Sequence, residues 1–226
     1  MRLYPVPWRL LAEEKKFRKY EWVKVMVRRA TSDPRDESRR LDEETIQVLT
    51  DPLPTDHQWA ARRRIVMPLK AQSMCWLQDE RDRAMSPTLG FIKPREIRRL
   101  IIEPEKEPDW SEVDLARLRQ TDMFRQAPKQ ELEKIPFRFS FNYLCEESTC
   151  RSHTMMCSDW ELAGLYRKMR RRPDWQDRFR QRIKNLIDRR DIHFYVGTVS
   201  DHPGSWIITG LWYPPREQQG VLEGLG

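Results

Sequence analysis

Three cysteines and a histidine lie close together in the second half of the chain. They are Cys145, Cys150, His153 and Cys157, spaced C-x4-C-x2-H-x3-C across thirteen residues. Three thiolates with one imidazole form a normal tetrahedral set for Zn²⁺. Four protein ligands leave no position open for water, so the expected ion is a structural Zn²⁺ rather than a catalytic one. His202 is an alternative ligand, because it lies in a turn able to fold over the same loop. The remaining cysteine, Cys75, stands apart beside Trp76 and reads as a buried thiol.

A second chemistry is open to the residues that follow this cluster. Asp159, Glu161 and His193, joined by Asp201 or His202, are the types a divalent-metal phosphodiesterase uses. Carboxylates would hold Mg²⁺ or Mn²⁺ and imidazole would aid proton transfer. A thiol nucleophile, Cys150 or Cys157 paired with His153, is a further alternative, but a metal reading uses all three together. There is no Gly-rich phosphate loop, no serine nucleophile elbow, no H-E-x-x-H and no deaminase signature. A non-catalytic role is therefore the leading expectation, with a nuclease as its alternative.

Charge supplies the expected partner. Lys and Arg total 42 against 35 Asp and Glu, a formal charge of +7. Five of the six residues from Arg167 to Arg172 are basic: Arg167, Lys168, Arg170, Arg171 and Arg172. Arg178, Arg180, Arg182 and Lys184 follow shortly after. Together these side chains would form a phosphate-contacting surface for DNA or RNA, with Arg able to bind bidentately. Docking to an acidic protein uses the same charge and stays open as a third reading.

The elements that must carry these residues are most legible after residue 136. Phe137, Phe139, Phe141, Tyr143 and Cys145 occur at every second position, predicting a strand with an aromatic face that ends at the first ligand. Ser158 and Glu161 fit a capping box, which predicts a helix from there to about Met169, interrupted by Pro173. Trp175, Phe179, Ile183, Leu186 and Ile187 fall on one stripe of a second helix ending near Arg190. Residues 193–199 and 206–213 read as the strands of a hairpin, with Trp212 and Tyr213 as candidates for exposed stacking platforms.

The first part is less regular. Strands are expected within 21–27 and 45–49, around a polar loop at 31–44. A weakly amphipathic helix is expected to bury Trp59, Ile65, Val66 and Leu69 and expose Arg62, Arg63 and Arg64. Another helix is expected over 73–84, followed by extended segments at 89–92 and 97–102, and a short helix over 111–118. The resulting expectation is an α+β fold. A strand-containing domain over 1–104 and a charged, proline-punctuated connector over 105–135 precede a zinc-stabilised unit of two helices and a small antiparallel sheet over 136–215. A mobile tail over 216–226 completes it. The start of the chain lacks the apolar run of a signal segment and no stretch approaches a membrane span, so a cytoplasmic protein complex subunit without membrane contact is expected.

Overall fold

The structure, a computed structural model, describes all residues except 5, 9, 10, 32, 113–114, 116–132, 201, 203 and 217–226. Its strands and helices run in the order β1 (Arg2–Leu3), β2 (Val23–Lys24), β3 (Val27–Arg29), β4 (Ser38–Leu41), β5 (Gln47–Val48), α1 (Asp56–Val66) and α2 (Met74–Ala84). They continue with β6 (Leu89–Ile92), β7 (Pro94–Pro104), β8 (Phe137–Cys145), β9 (His153–Met156), α3 (Trp160–Met169), α4 (Trp175–Arg189), β10 (His193–Thr198) and β11 (Trp206–Trp212). The class is mixed α+β.

The aromatic alternation of β8 has the predicted consequence. Phe139, Phe141, Tyr143 and Cys145 are all buried. Ser140 and Leu144, on the opposite face, are buried too, because β8 is the middle strand of the sheet β7-β8-β9. Helix α4 lays its stripe against this sheet. Phe179 and Ile183 are buried, the Phe179 ring stacks on Phe139 at 4.8 Å, and Trp175 meets Phe137 edge-on at 4.8 Å. A second sheet, β11-β10-β6, joins the same core through Ile92, Phe194, Val196 and Ile208.

These pairings cut across the boundary expected at residue 104. Strand β6 pairs with β10, and β7 pairs with β8. Residues 89–104 therefore belong to the sheets of the C-terminal part, and the structure shows no clean two-domain split there. The first 50 residues instead form two small sheets of their own, β1-β4-β3 and β2-β5.

Three other expectations are corrected. The polar stretch 31–44 contains β4, a strand with little apolar content that is held by neighbours on both sides, β1 and β3. In α1 only Val66 is buried, whereas Ile65 is 40% and Leu69 62% exposed. Arg62 instead covers the rings of Tyr20 and Trp59, and Arg63 reaches Asp191 and the Pro215 carbonyl. Aromatic faces and a half-buried carboxylate attract the guanidinium groups more strongly than the short apolar pattern directs them outward. Trp212 is fully buried and Tyr213 packs on the core, so neither is an exposed platform. Most of the helix expected over 111–118, most of the connector over 105–135, and the tail beyond 216 lie outside the described residues.

Candidate metal centre

Four side chains converge at one edge of the β7-β8-β9 sheet: Cys75, Cys145, Cys150 and His153. Their ligand atoms all lie within 4.8 Å of one another. Cys145 ends β8, and its amide donates to Cys150 Sγ at 3.4 Å. The turn between them is closed by a hydrogen bond from the Cys150 amide to the Glu147 carbonyl at 3.2 Å. His153 opens β9, opposite Tyr143 of β8, so the hairpin returns the imidazole to the strand end that carries the first thiol.

The fourth group comes from far upstream. The amide of Ala71 donates to the Phe91 carbonyl at 2.8 Å, and Lys70 forms an ion pair with Glu146. These contacts tie the start of α2 to β6 and to the turn of the cluster. Ser73 caps the helix, its hydroxyl accepting from the Trp76 amide at 2.9 Å. Cys75 therefore lies in the first helical turn. Cys75 Sγ is 3.5 Å from Cys145 Sγ and 3.4 Å from His153 Nε2. A tetrahedron with metal–sulfur bonds of about 2.3 Å has sulfur–sulfur edges of about 3.8 Å. The side chains thus fit one ion after small adjustments.

The electrostatics are compatible with such an ion. Burial, and after it the neighbouring Cys145 and Cys150 thiols, push the Cys75 thiol up to about 12. Burial also opposes ionisation of Cys145, but hydrogen bonds from the backbone of Cys75 and Glu147 and from the Cys150 and Cys75 side chains outweigh it and hold that thiol below its usual range. Adjacent thiolates repel, and a divalent cation removes the conflict. Burial lowers the His153 pKa, which favours the neutral imidazole that a metal takes. An open cleft of about 680 Å³, bordered by Gln78, Arg151, Ser205 and Trp206, gives an ion a route to Cys75, Cys150 and His153.

The structure brings together three of the four expected ligands and replaces the fourth. Cys157 follows β9, and four extended residues carry it roughly 13 Å along from His153. There its amide donates to the Phe139 carbonyl at 2.7 Å, and the residue bridges to Ile208. Burial pushes its thiol up to about 12. His202 is exposed on the β10–β11 turn and is not a member of the cluster. The signal that marks Cys75 in the sequence is weak: a thiol two positions after a serine N-cap.

Of the residues considered for phosphodiester chemistry, Asp159, Glu161 and His193 are occupied otherwise, and Asp201 lies outside the described residues. Asp159, not Ser158, caps α3: its Oδ1 accepts from the Glu161 amide at 2.6 Å and its Oδ2 from the Leu211 amide at 2.8 Å. Ser158 is still engaged with β11, donating its amide to the Ile208 carbonyl. Glu161 takes Lys19 at 2.8 Å and the Tyr213 hydroxyl. His193 is buried between Phe91 and Trp212, and burial depresses its pKa. Among the described residues, the Cys/His group is the only convergence of three or more such ligand atoms.

The basic side chains are spread over α3, α4 and the turn between them. Arg167 and Arg170 both pair with Glu133, and Arg178 pairs with Asp174 at 2.6 Å. Arg180 and Lys184 pair with Asp177 and Asp188 on α4 itself. Lys168, Arg171, Arg172 and Arg182 have no carboxylate within ion-pair distance among the described residues. No helix of the described residues is long and apolar enough to cross a membrane.

Fold and site thus define an α+β protein with a Cys3His cluster compatible with a metal ion. Residues 70–224 match the family described as Domain of unknown function (DUF8757), and the chain belongs to that family. Residues 1–68 match a second, Domain of unknown function (DUF8758). The junction between the two matches lies just before α2, where the two small N-terminal sheets and α1 have ended. No curated protein and no solved structure matches the chain.

Proposed function

We propose that this chain is a zinc-stabilised, non-catalytic component of a larger complex that binds nucleic acid. The observation that carries the reading is the convergence of Cys75, Cys145, Cys150 and His153 within 4.8 Å. Three thiolates and an imidazole select Zn²⁺ over Mg²⁺ or Mn²⁺, and a full protein shell leaves no site for an activated water. The ion would join the start of α2 to the β8–β9 hairpin, about 70 residues further along the chain. Its role is then to hold a fold rather than to react.

Nucleic acid as partner is supported by the formal charge of +7 and by Lys168, Arg171, Arg172 and Arg182, which form no ion pair among the described residues. Binding through such groups is insensitive to sequence and steeply dependent on salt. Native mass spectrometry of gently purified protein, followed by oligonucleotide titrations over a salt series, tests both halves. One zinc per chain and an affinity that falls as salt rises are expected. Folded protein without metal, or no binding at low salt, overturns the corresponding half.

A further inference from the structure

The small sheet β1-β4-β3 carries an arrangement that its own stability does not explain. Antiparallel pairing sets Arg28 of β3 directly opposite Arg40 of β4. Both are exposed, and neither side chain makes a hydrogen bond or ion pair among the described residues. Like charges directly opposite each other destabilise a strand pair. Protection of a sheet edge accounts for a charge on β3, the outer strand. It does not account for the one on β4, which has a neighbour on each side.

The third strand completes a row. Parallel pairing matches Leu3 with Arg39, and the Tyr4 amide donates to the Arg39 carbonyl at 3.1 Å. Continuing that register by one residue sets Tyr4 beside Arg40. The alternation of faces places Tyr4 on the same side as Arg40 and Arg28. Tyr4 is 73% exposed. One transverse row, about 10 Å across two strand spacings, therefore presents an aromatic ring and two unneutralised guanidinium groups to solvent. The neighbouring pair, Arg29 and Arg39, differs: both contact Asp36.

We infer that the row Tyr4–Arg40–Arg28 is a binding surface for single-stranded nucleic acid, with Tyr4 stacking on a base while Arg40 and Arg28 hold phosphates. A strand with unpaired bases offers both chemistries at once, as aromatic platforms beside cationic tracks require. A duplex conceals the faces of its bases. An acidic peptide would engage the guanidinium groups but has no use for the ring. The inference rests on the nucleic-acid reading given above and places a contact surface on the N-terminal sheet in addition to the basic residues of α3 and α4.

The test is fluorescence anisotropy with labelled oligo(dT) and oligo(U), a mixed-sequence duplex and a polyglutamate peptide over a range of salt. Arg28→Gln with Arg40→Gln should weaken single-strand binding about tenfold or more. The slope of log affinity against log salt should fall by about 1.4, the value for two contacts to a single strand. Tyr4→Ala should weaken single-strand binding roughly five- to hundredfold while sparing the duplex, and Tyr4→Phe should restore it. Because the arginine variant relieves repulsion, its melting temperature should equal or exceed that of the parent, which separates lost binding from lost folding. If the parent binds single strands and these variants bind equally well, while Arg171→Gln with Arg172→Gln weakens binding, the inference fails and the broader reading stands. Polyglutamate binding as tight as that of the oligonucleotides overturns the inference in favour of an acidic protein. A parent that binds no nucleic acid at low salt overturns both.

Discussion

The Sγ atoms of Cys75 and Cys145 lie 3.5 Å apart although 70 residues separate them in the chain. Cys145 comes from the end of β8 and Cys75 from the first turn of α2, so the contact joins a strand to a helix. The two are fixed from behind by the Lys70–Glu146 ion pair and by the Ala71 amide on the Phe91 carbonyl. Zinc at this point would act as a cross-link over a long loop, which contributes most when the loop it closes is long.

Substituting either partner should show this. Cys75→Ser and Cys145→Ser are expected to lower bound zinc from one per chain to a small fraction, measured by elemental analysis after gel filtration. Cys157→Ser should leave the metal content unchanged, since that thiol sits beyond β9 on the Ile208 bridge. A chelator should lower the melting temperature of the parent. A loss of about 3 kcal/mol corresponds to roughly 6–12 °C for a chain of this size. Full zinc in Cys75→Ser would remove that residue from the ligand set.

The parts of this arrangement that were legible in the sequence are the local ones. Alternation at Phe139, Phe141 and Tyr143 and the stripe at Phe179 and Ile183 each follow a period that one element imposes on its own residues. Cys145, Cys150 and His153 sit on a single hairpin and are brought together by its turn. Cys75 was not legible as a ligand, because its position depends on how α2 packs on β6 and no short-range pattern encodes that. Cys157 was misleading for the opposite reason: nearness in sequence becomes distance in space when the intervening residues form a strand. Strand β4 went unseen because Arg39 and Arg40 have no apolar alternation to reveal it. The Ser158 capping box likewise gave way to Asp159, since Ser158 is still engaged by β11.

The α4 stripe gives a measurable core. Phe179 is fully buried against Phe139, and Ile183 lies one turn further along the same face. Phe179→Ala should cost about 3–5 kcal/mol and Ile183→Ala about 2–5 kcal/mol in urea unfolding. Losses below about 0.5 kcal/mol would show that the helix can leave the sheet without consequence.

Gly90 sets how closely α2 approaches β6. A Cβ at this position would lie 2.4 Å from Leu77 Cδ1 and 3.1 Å from Val196 Cγ2. Leu77 is itself buried, so its side chain has little room to withdraw. Gly90→Ala should therefore destabilise the protein by about 1–3 kcal/mol, as overpacking generally does. It should also weaken zinc binding in a chromophoric-chelator competition, because Cys75 rides on the displaced helix. Unchanged stability and unchanged zinc affinity would show that Leu77 accommodates the methyl group by a rotamer change.

Asp33 gives the N-terminal sheet a defined dependence on pH. Hydrogen bonds from the Arg35 side chain, aided by the Ser38 hydroxyl and opposed by partial burial, hold its carboxyl far below the usual carboxylate range. A folded-state pKa depressed in this way contributes stability that is present above the ordinary carboxylate pKa. That contribution is lost as pH falls through the folded value. The urea midpoint of the parent should therefore decline on acidification from about pH 5 towards pH 2. Asp33→Asn should be less stable at pH 7 and should lose less over that acid window. Parallel declines for the two proteins would show that Asp33 is not the group responsible.

Asp159 separates a structural carboxylate from a catalytic one. Its two oxygens accept from the Glu161 amide, which starts α3, and from the Leu211 amide on β11. Replacing it with alanine removes a helix cap and leaves a buried donor without an acceptor. The cap alone is worth about 0.5–2 kcal/mol and the buried donor about 1–3 kcal/mol. Asp159→Ala should accordingly lower stability by roughly 2–4 kcal/mol, and Asp159→Asn by less, because one amide oxygen can still accept. Neither change should alter zinc content, since the residue lies outside the Cys3His cluster. A carboxylate that held a reacting Mg²⁺ or Mn²⁺ would behave differently. Its loss would abolish cleavage of a nucleic-acid substrate while stability stayed level or rose, because removing a charge that repels its co-ligands relieves strain in the metal-free site. Measuring urea midpoints and divalent-dependent nuclease activity on the same preparations therefore decides between the two roles. Loss of stability with no cleavage by the parent is the expected result. Cleavage by the parent that vanishes in a fully stable Asp159→Asn protein would instead establish an enzyme.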